Sequence, residues 1–137
     1  MRICAARFTT GLGLASILTF GCTPQTSVDL KNNTSSTVTG KAFFSSDQNV
    51  LEDLIDNTGA EEDFTIAPGA DHPFSRNCND LQAIKVEGDL QVLVGLGPSQ
   101  STKVFRDGTD FGCGDHITFT FTAPNPPLTL NIDFSNP

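Results

Sequence analysis

Tryptophan and tyrosine are absent from this chain, and its single methionine is Met1. Interfaces that stack on sugars or anchor flat partners favour Trp and Tyr, because one ring supplies both area and a hydrogen bond. Here Phe, with 11 residues, supplies all the aromatic surface. Phe packs cores but has no polar handle, so a sugar-stacking module or an aromatic-anchored binder is disfavoured. Positive charge is scarce as well, with 8 Lys and Arg against 16 Asp and Glu. Phosphate backbones are held by clustered cations, which argues against nucleic acid as a partner. Close contact with an anionic bilayer surface is disfavoured for the same reason. The acids are scattered rather than blocked, as on a solvated surface. No C-x-x-C pair and no G-x-S-x-G elbow occurs, and the fragment GLGPS lacks the phosphate-loop spacing.

A membrane-spanning run is missing too. The chain opens MRICAARFTTGLGLASILTFGCTPQ, with Arg2 and Arg7 as a basic start and a short apolar stretch over residues 12–20. The run from Phe8 to Gly21 is 14 residues, whereas a spanning helix needs roughly 20. Basic start, short apolar run and small Gly21 make residues 1–21 a secretory signal. Residues 18–22, LTFGC, resemble the bacterial lipoprotein box. Thr19 stands where that family prefers an aliphatic residue, and bulky Phe20 follows it. The resemblance covers the first 22 residues only. It implies cleavage before Cys22, lipid on its sulfur, and attachment to a cell-envelope membrane through that lipid. Ordinary signal cleavage at the small pair Thr19 and Gly21 makes the same cut and yields a secreted soluble chain.

Cysteine arithmetic favours the lipid. Cys4 leaves with the signal, and Cys22, Cys78 and Cys113 remain. An odd thiol outside the cell is a liability or a handle; lipid on Cys22 uses it and leaves one pair. Cleavage also removes Arg2 and Arg7 and no acid, so the mature chain carries 6 basic and 16 acidic residues, a net charge of −10. Residues 22–27 then read as a tether and residues 28–137 as one domain of about the commonest size.

Beyond the tether the chain reads as short strands separated by turns. Residues 27–30, 37–44, 62–67, 81–86, 90–94 and 102–105 are candidate strands. Asn32 and Asn33 head glycosylation sequons, which behind a bacterial-type signal read as plain turn residues. The clearest runs are 116–122, with Ile117, Phe119 and Phe121 on one face and three Thr on the other, and 128–134, where Leu128, Leu130, Ile132 and Phe134 alternate with polar residues. Period two means one buried and one wet face. The stretch APNPP between them is too Pro-rich for a strand. Around Glu87, Gly88 and Asp89 a three-residue hairpin loop would set Val86 opposite Leu90 and Ile84 opposite Val92, keeping apolar faces together. Residues 46–57 break the alternation. Val50, Leu51, Leu54 and Ile55 at helical spacing predict a helix of about 9–11 residues, with Ser45 and Gln48 as a capping box and Gly59 at its far end. The sum is an all-β, immunoglobulin-like antiparallel β-sandwich of about 7–9 short strands with one short helix. The likeness is architectural only, because the Trp of immunoglobulin domains is missing and the Cys spacing is shorter.

The stretch DFGCGDHITFTFT concentrates Cys113, Asp115 and His116. As a metal site, His72 with Asp71 would join Asp115 and His116, and the two thiolates would make it soft. Zinc ligands usually come in close pairs, and here Cys78 and Cys113 are 35 apart. As a calcium loop, Asp107, Asp110 and Asp115 lack the alternate spacing and closing Glu; Asp107-Gly108 reads better as a turn. As a nucleophile, Cys113 or a Ser beside His116 needs a base and an orienting group that the sequence does not display. A Cys78–Cys113 disulfide suits an oxidising compartment and the mature cysteine count, with Gly112 and Gly114 allowing a tight backbone beside the sulfur. The reading is therefore an exported, lipid-anchored envelope protein with a structural or binding role, without catalysis, without a cofactor and with its partner unnamed. The alternative is a divalent-metal-binding exported protein using His72, Asp115 and His116.

Overall fold

The computed structural model describes residues 23–93 and 95–137. The signal segment and the LTFGC box lie outside these residues. The chain forms β1 (Gln25–Asn32), β2 (Thr37–Ser45), α1 (Ile55–Thr58), β3 (Ala60–Ile66), β4 (Asp71–Asn77), β5 (Ala83–Gln91), β6 (Ser99–Ser101), β7 (Phe105–Arg106), β8 (His116–Thr122) and β9 (Asn131–Ser135). One sheet runs β4-β1-β8-β9; the other runs β3-β2-β5-β6, with β7 also paired to β5. Their inner faces meet in one core of Val28, Leu30, Val38, Phe44, Phe64, Ile84, Val86, Leu90, Ile117, Phe119 and Phe121, among others. The expected all-β sandwich is what forms.

Alternation explains most strands. In β1, Thr26, Val28, Leu30 and Asn32 are buried and the residues between them face outward. In β8, Ile117, Phe119 and Phe121 are buried, with Thr118, Thr120 and Thr122 on the outer face. One ladder departs from the antiparallel expectation. β1 pairs with β8 in parallel, Ser27 opposite His116 and Asn32 opposite Phe121. A parallel pair needs a crossover, and here the intervening chain builds the whole opposite sheet before returning. The strand also begins at Gln25, so Gln25, Thr26 and Ser27 belong to the sheet rather than to a tether.

The expected hairpin at Glu87, Gly88 and Asp89 does not exist. These residues lie inside β5, where Val86 pairs with Ala42, Gly88 with Gly40 and Leu90 with Val38. The reason is space. A Cβ on Gly88 would sit 2.7 Å from Phe121 Cε1, and one on Gly40 would collide with the Glu87 carbonyl and lie 2.7 Å from Phe64 Cζ. Two glycines opposite one another make room for two rings, which pack with centroids 5.6 Å apart.

The expected long helix is also reduced, to Ile55–Thr58, and no side chain caps it. The capping-box residue Ser45 instead accepts a bond from Asp47 N–H at 3.1 Å, and Asp47 Oδ1 accepts from Asn49 N–H at 2.9 Å. Such local bonds compete with helix. The segment is held from outside as well: Arg106 donates to the Gln48 and Val50 carbonyls, and Glu52 Oε1 accepts from Val104 N–H at 3.1 Å. Val50 and Ile55 therefore point into a small second cluster with Phe43, Ala83 and Val104, while Leu51 and Leu54 stay exposed. Gly59 does close the helix, donating to the Ile55 carbonyl at 3.1 Å. The run read as a strand over 128–134 pairs only from Asn131, after a loop with a cis Asn125–Pro126 bond.

Filling either glycine should loosen the core. Gly88→Ala is expected to cost about 1–3 kcal/mol, the usual range for overpacking. Gly40→Ala should cost more, because the atom it meets is a carbonyl fixed in the ladder. Urea midpoints of the two variants against the parent check the order.

Candidate functional site

Short connections sort the loops into two ends. Residues 33–36, 67–70, 92–93, 95–98 and 123–130 lie at one end. The other end holds the start of β1, residues 46–59 and 78–82, residues 107–115 and the C-terminus. Cys78 and Cys113 meet at this second end as a disulfide, with Cα atoms 5.3 Å apart. Its position follows from the strand order. β4 and β8 flank β1; Cys78 follows the last residue of β4, and Cys113 lies just before β8. The bond therefore ties the two neighbours of β1 together where the chain enters the sheet. Cys78 N–H donates to the Pro24 carbonyl at 3.1 Å, and Ser27 N–H to the Asp115 carbonyl at 3.0 Å. Fully buried Thr26 lies beneath, its Oγ1 3.8 Å from Cys78 Sγ. Gly114 takes φ +92 here, the conformation that favours glycine, whereas Gly112 does not need it.

The metal candidates do not come together. His72 lies in β4 rather than in a loop, opposite Leu30 on the inward face. His116 is exposed at the start of β8, opposite Ser27 on the outward face. They are two strands apart and point to opposite sides of one sheet. Asp115 is engaged locally, its Oδ2 accepting from Gly112 N–H at 2.6 Å and from Asn136 Nδ2 at 2.9 Å. Asp110 Oδ2 accepts from Arg106 N–H at 2.8 Å. These carboxylates finish turns rather than converge. Among the described residues no three His, Cys, Asp or Glu side chains gather as metal ligands. The disulfide also removes Cys113 as a nucleophile or a soft ligand.

Sequence reading missed one cluster, because β4 carries Pro73 and alternating polar residues that read as loop. Pro is tolerated here since β4 is an edge strand. Its inward row is His72, Phe74 and Arg76. Arg76 Nη2 lies 2.5 Å from Glu62 Oε2 on β3 of the other sheet, and its guanidinium covers the rings of Phe44 and Phe74 at 4.8 and 5.4 Å. His72 Nε2 lies 3.4 Å from Glu62 Oε1 but out of line for a hydrogen bond. The cluster joins the two sheets along their open edge, and inward charges of this kind also blunt an edge against strand addition. A depression of about 300 Å³ adjoins it, lined by Phe44, Thr58, Arg76 and Asp80 among others; another of about 360 Å³ lies over Glu87 to Asp89 and Ser99 to Ser101. In the latter, Ser101 Oγ donates to Glu87 Oε1 at 3.3 Å.

A second charged contact ties α1 to the sheet. Lys85 Nζ lies 2.7 Å from Asp56 Oδ2 and 3.0 Å from Glu87 Oε1. Burial alone would lower the Lys85 pKa, but the hydrogen bonds it donates to Asp56 and Glu87 outweigh this and hold it above the ordinary lysine value.

No protein-family model matches the chain, and no curated protein matches it. Solved structures do. The type VI secretion lipoprotein TssJ1 from Pseudomonas aeruginosa is 13% identical, with a TM-score of 0.46 over 82% of this chain and 97% of that one. A protein from Eubacterium rectale is 14% identical, with a TM-score of 0.46 over 80% and 88%. Serratia marcescens Lip, a membrane-bound component of the type VI secretion system, is 11% identical, with a TM-score of 0.43 over 80% and 97%. At these scores the likeness is too slight to assign a function.

Two outcomes are expected. Replacing both cysteines, Cys78→Ala with Cys113→Ala, removes a loop constraint of roughly 4 kcal/mol by the chain-entropy model and should lower the urea midpoint accordingly. For Lys85, the raised folded pKa means its stabilising contribution is full below the unfolded value of about 10.4 and is lost as pH rises through the folded one. The stability difference between parent and Lys85→Met should stay level from pH 7 to about 9.5 and shrink above about 10.4.

Proposed function

We propose that the chain is an exported cell-envelope protein, held to a membrane by lipid on Cys22, with a structural or binding role and no chemistry of its own. The observation that carries this reading is the Cys78–Cys113 bond. Of the three cysteines that cleavage before Cys22 would leave, it takes two, and the third is the cysteine of the LTFGC box. The start of β1 at Gln25 supports it as well, since only Thr23 and Pro24 separate Cys22 from the sheet. A domain attached so closely needs a firm entry point, and the disulfide braces the strands on either side of that point. No helix among the described residues is long and apolar enough to cross a membrane, so attachment at Cys22 asks nothing more of the fold. The polar groups that sequence reading singled out for catalysis or metal binding are spent on turns, on the disulfide or on separate faces.

An intact mass of the mature protein from its native membrane fraction, with and without reductant, tests this. A lipid-sized increment on Cys22 is expected, together with two thiols that alkylate only after reduction. Cys22→Ser should abolish membrane retention while leaving the disulfide in place. A chain recovered from the medium, starting at Cys22 without lipid, would sink the anchor and leave a secreted protein.

A further inference from the structure

The two sulfurs of the disulfide have different surroundings. Cys78 is buried, at 7% exposed, while Cys113 is exposed on the turn before β8. That turn is bare on both sides of the sulfur. A Cβ on Gly114 would meet nothing within 4 Å, and the nearest atoms to one on Gly112 would be those of the Asp115 carboxyl, from 3.5 Å outward. The buried sulfur has a polar neighbour instead. Thr26 Oγ1 lies 3.8 Å from Cys78 Sγ and accepts from Gly114 N–H at 3.4 Å. A disulfide sulfur carries no hydrogen, so in this contact the Thr26 hydroxyl is the donor and Cys78 Sγ the acceptor. Thr26 is itself fully buried on β1. The inward row continues with Val28 and Leu30, so packing alone would be served by an apolar side chain at this place.

We propose that the Cys78–Cys113 bond is a directional exchange site for a protein dithiol, entered at Cys113, with Cys78 as the leaving sulfur and Thr26 as its positioning residue. In exchange a thiolate attacks one of the two sulfurs, and access helps decide which. Here Cys113 is the sulfur open to a thiol on a protein surface, and the glycines on either side leave room for it. The partner's first thiolate attacks Cys113 Sγ. A mixed disulfide forms there, the Cys78–Cys113 bond breaks, and its electron pair leaves on Cys78 Sγ. A thiolate is disfavoured in an apolar site, and the Thr26 hydroxyl donates to it until a proton arrives from water. The partner's second thiolate then attacks its own sulfur in the mixed disulfide and releases Cys113. Two electrons pass to this chain, the two protons given up by the dithiol return to its sulfurs through water, and the partner ends as a disulfide. The same steps in reverse form the bond. What the reaction controls is the entry of β1. With the bond open, the loops that carry the two cysteines are tied to that entry by hydrogen bonds at Pro24, Thr26 and Ser27. Nothing in this chemistry depends on what is attached at Cys22.

The folded native protein, mixed with an excess of a thioredoxin whose second active-site cysteine is replaced by Ser, tests the direction. That reagent stops at the mixed disulfide. A pulse of N-ethylmaleimide caps the freed thiol, and mass spectrometry of the digest reads which peptide is joined. The expected product joins the reagent to the Cys113 peptide and leaves Cys78 capped, in at least about tenfold excess over the opposite arrangement. Joining at Cys78, or at both sulfurs equally, would overturn the proposal. So would a bond that opens to 2-mercaptoethanol but never joins the protein reagent, or one that opens only in urea. Thr26→Val separates positioning from packing, because the two roles move the rate in opposite directions. A purely structural Thr26, once lost with its bond to Gly114, would loosen the loop and speed reduction. Loss of the donor to the leaving sulfur should instead slow reduction about five- to tenfold, and Thr26→Ser should restore the parent rate. A rate in Thr26→Val that rises or stays level would overturn the part given to Thr26. Urea midpoints establish that each variant starts folded, and if Thr26→Val does not fold, the direction read on the parent still decides.

Discussion

Burial of β1 in the middle of its sheet is the constraint on which the other features turn. The strand has β4 on one side and β8 on the other, so both rows of its backbone groups are paired and its inward side chains, Thr26 to Asn32, are shut from water. A central strand cannot slip by one residue without turning Val28 and Leu30 outward. Its first residue is therefore fixed in space, and with it the point where the chain enters the domain. The far end is fixed by Asn32, buried and fully bonded: its Nδ2 donates to the Ser36 and Ile66 carbonyls, each at 2.9 Å, and its Oδ1 accepts from Thr34 N–H at 2.9 Å. One side chain thus holds the β1–β2 and β3–β4 connections together.

Given that frame, the disulfide and the inter-sheet cluster have distinct parts. The disulfide closes the sheet around the entry of β1. Arg76 and Glu62 close the gap between sheets on the edge where β4 and β3 lie. Both are attachments at a border, where a small sandwich is otherwise open to water. The interior needs no such help, because facing glycines let Phe64 and Phe121 pack closely, while Phe105 and Phe134 stack at 4.0 Å on the other side. A core built on Phe is a consistent choice for a chain with no Trp or Tyr, since none of these rings requires a buried hydrogen-bond partner.

The acidic loops cluster where β1 begins, and the uncharged loops lie opposite. Each loop taken alone is ordinary. Only the strand order gathers NTSS, APGA, the leucine turn and the proline-rich loop onto one surface.

The amino-acid sequence alone determined the all-β class, residues 116–122 as a strand with its buried face, and the pairing of Cys78 with Cys113. These are local or countable properties: period two and the number of cysteines. Tertiary structure alone decided that Glu87-Gly88-Asp89 runs straight, that β1 and β8 are parallel, that a polar segment with Pro73 is an edge strand, and that a helical stripe at 46–57 yields to side chains from β7. In the first three a contact distant in sequence overrode the local signal; over 46–57 local bonds from Ser45 and Asp47 acted together with Arg106. Gly88 looks like a turn until Gly40 and Phe121 are set beside it, and His72 reads as loop until β1 offers it a ladder. Alternation records which side of a strand is dry, but it carries no information about which strand lies next to it.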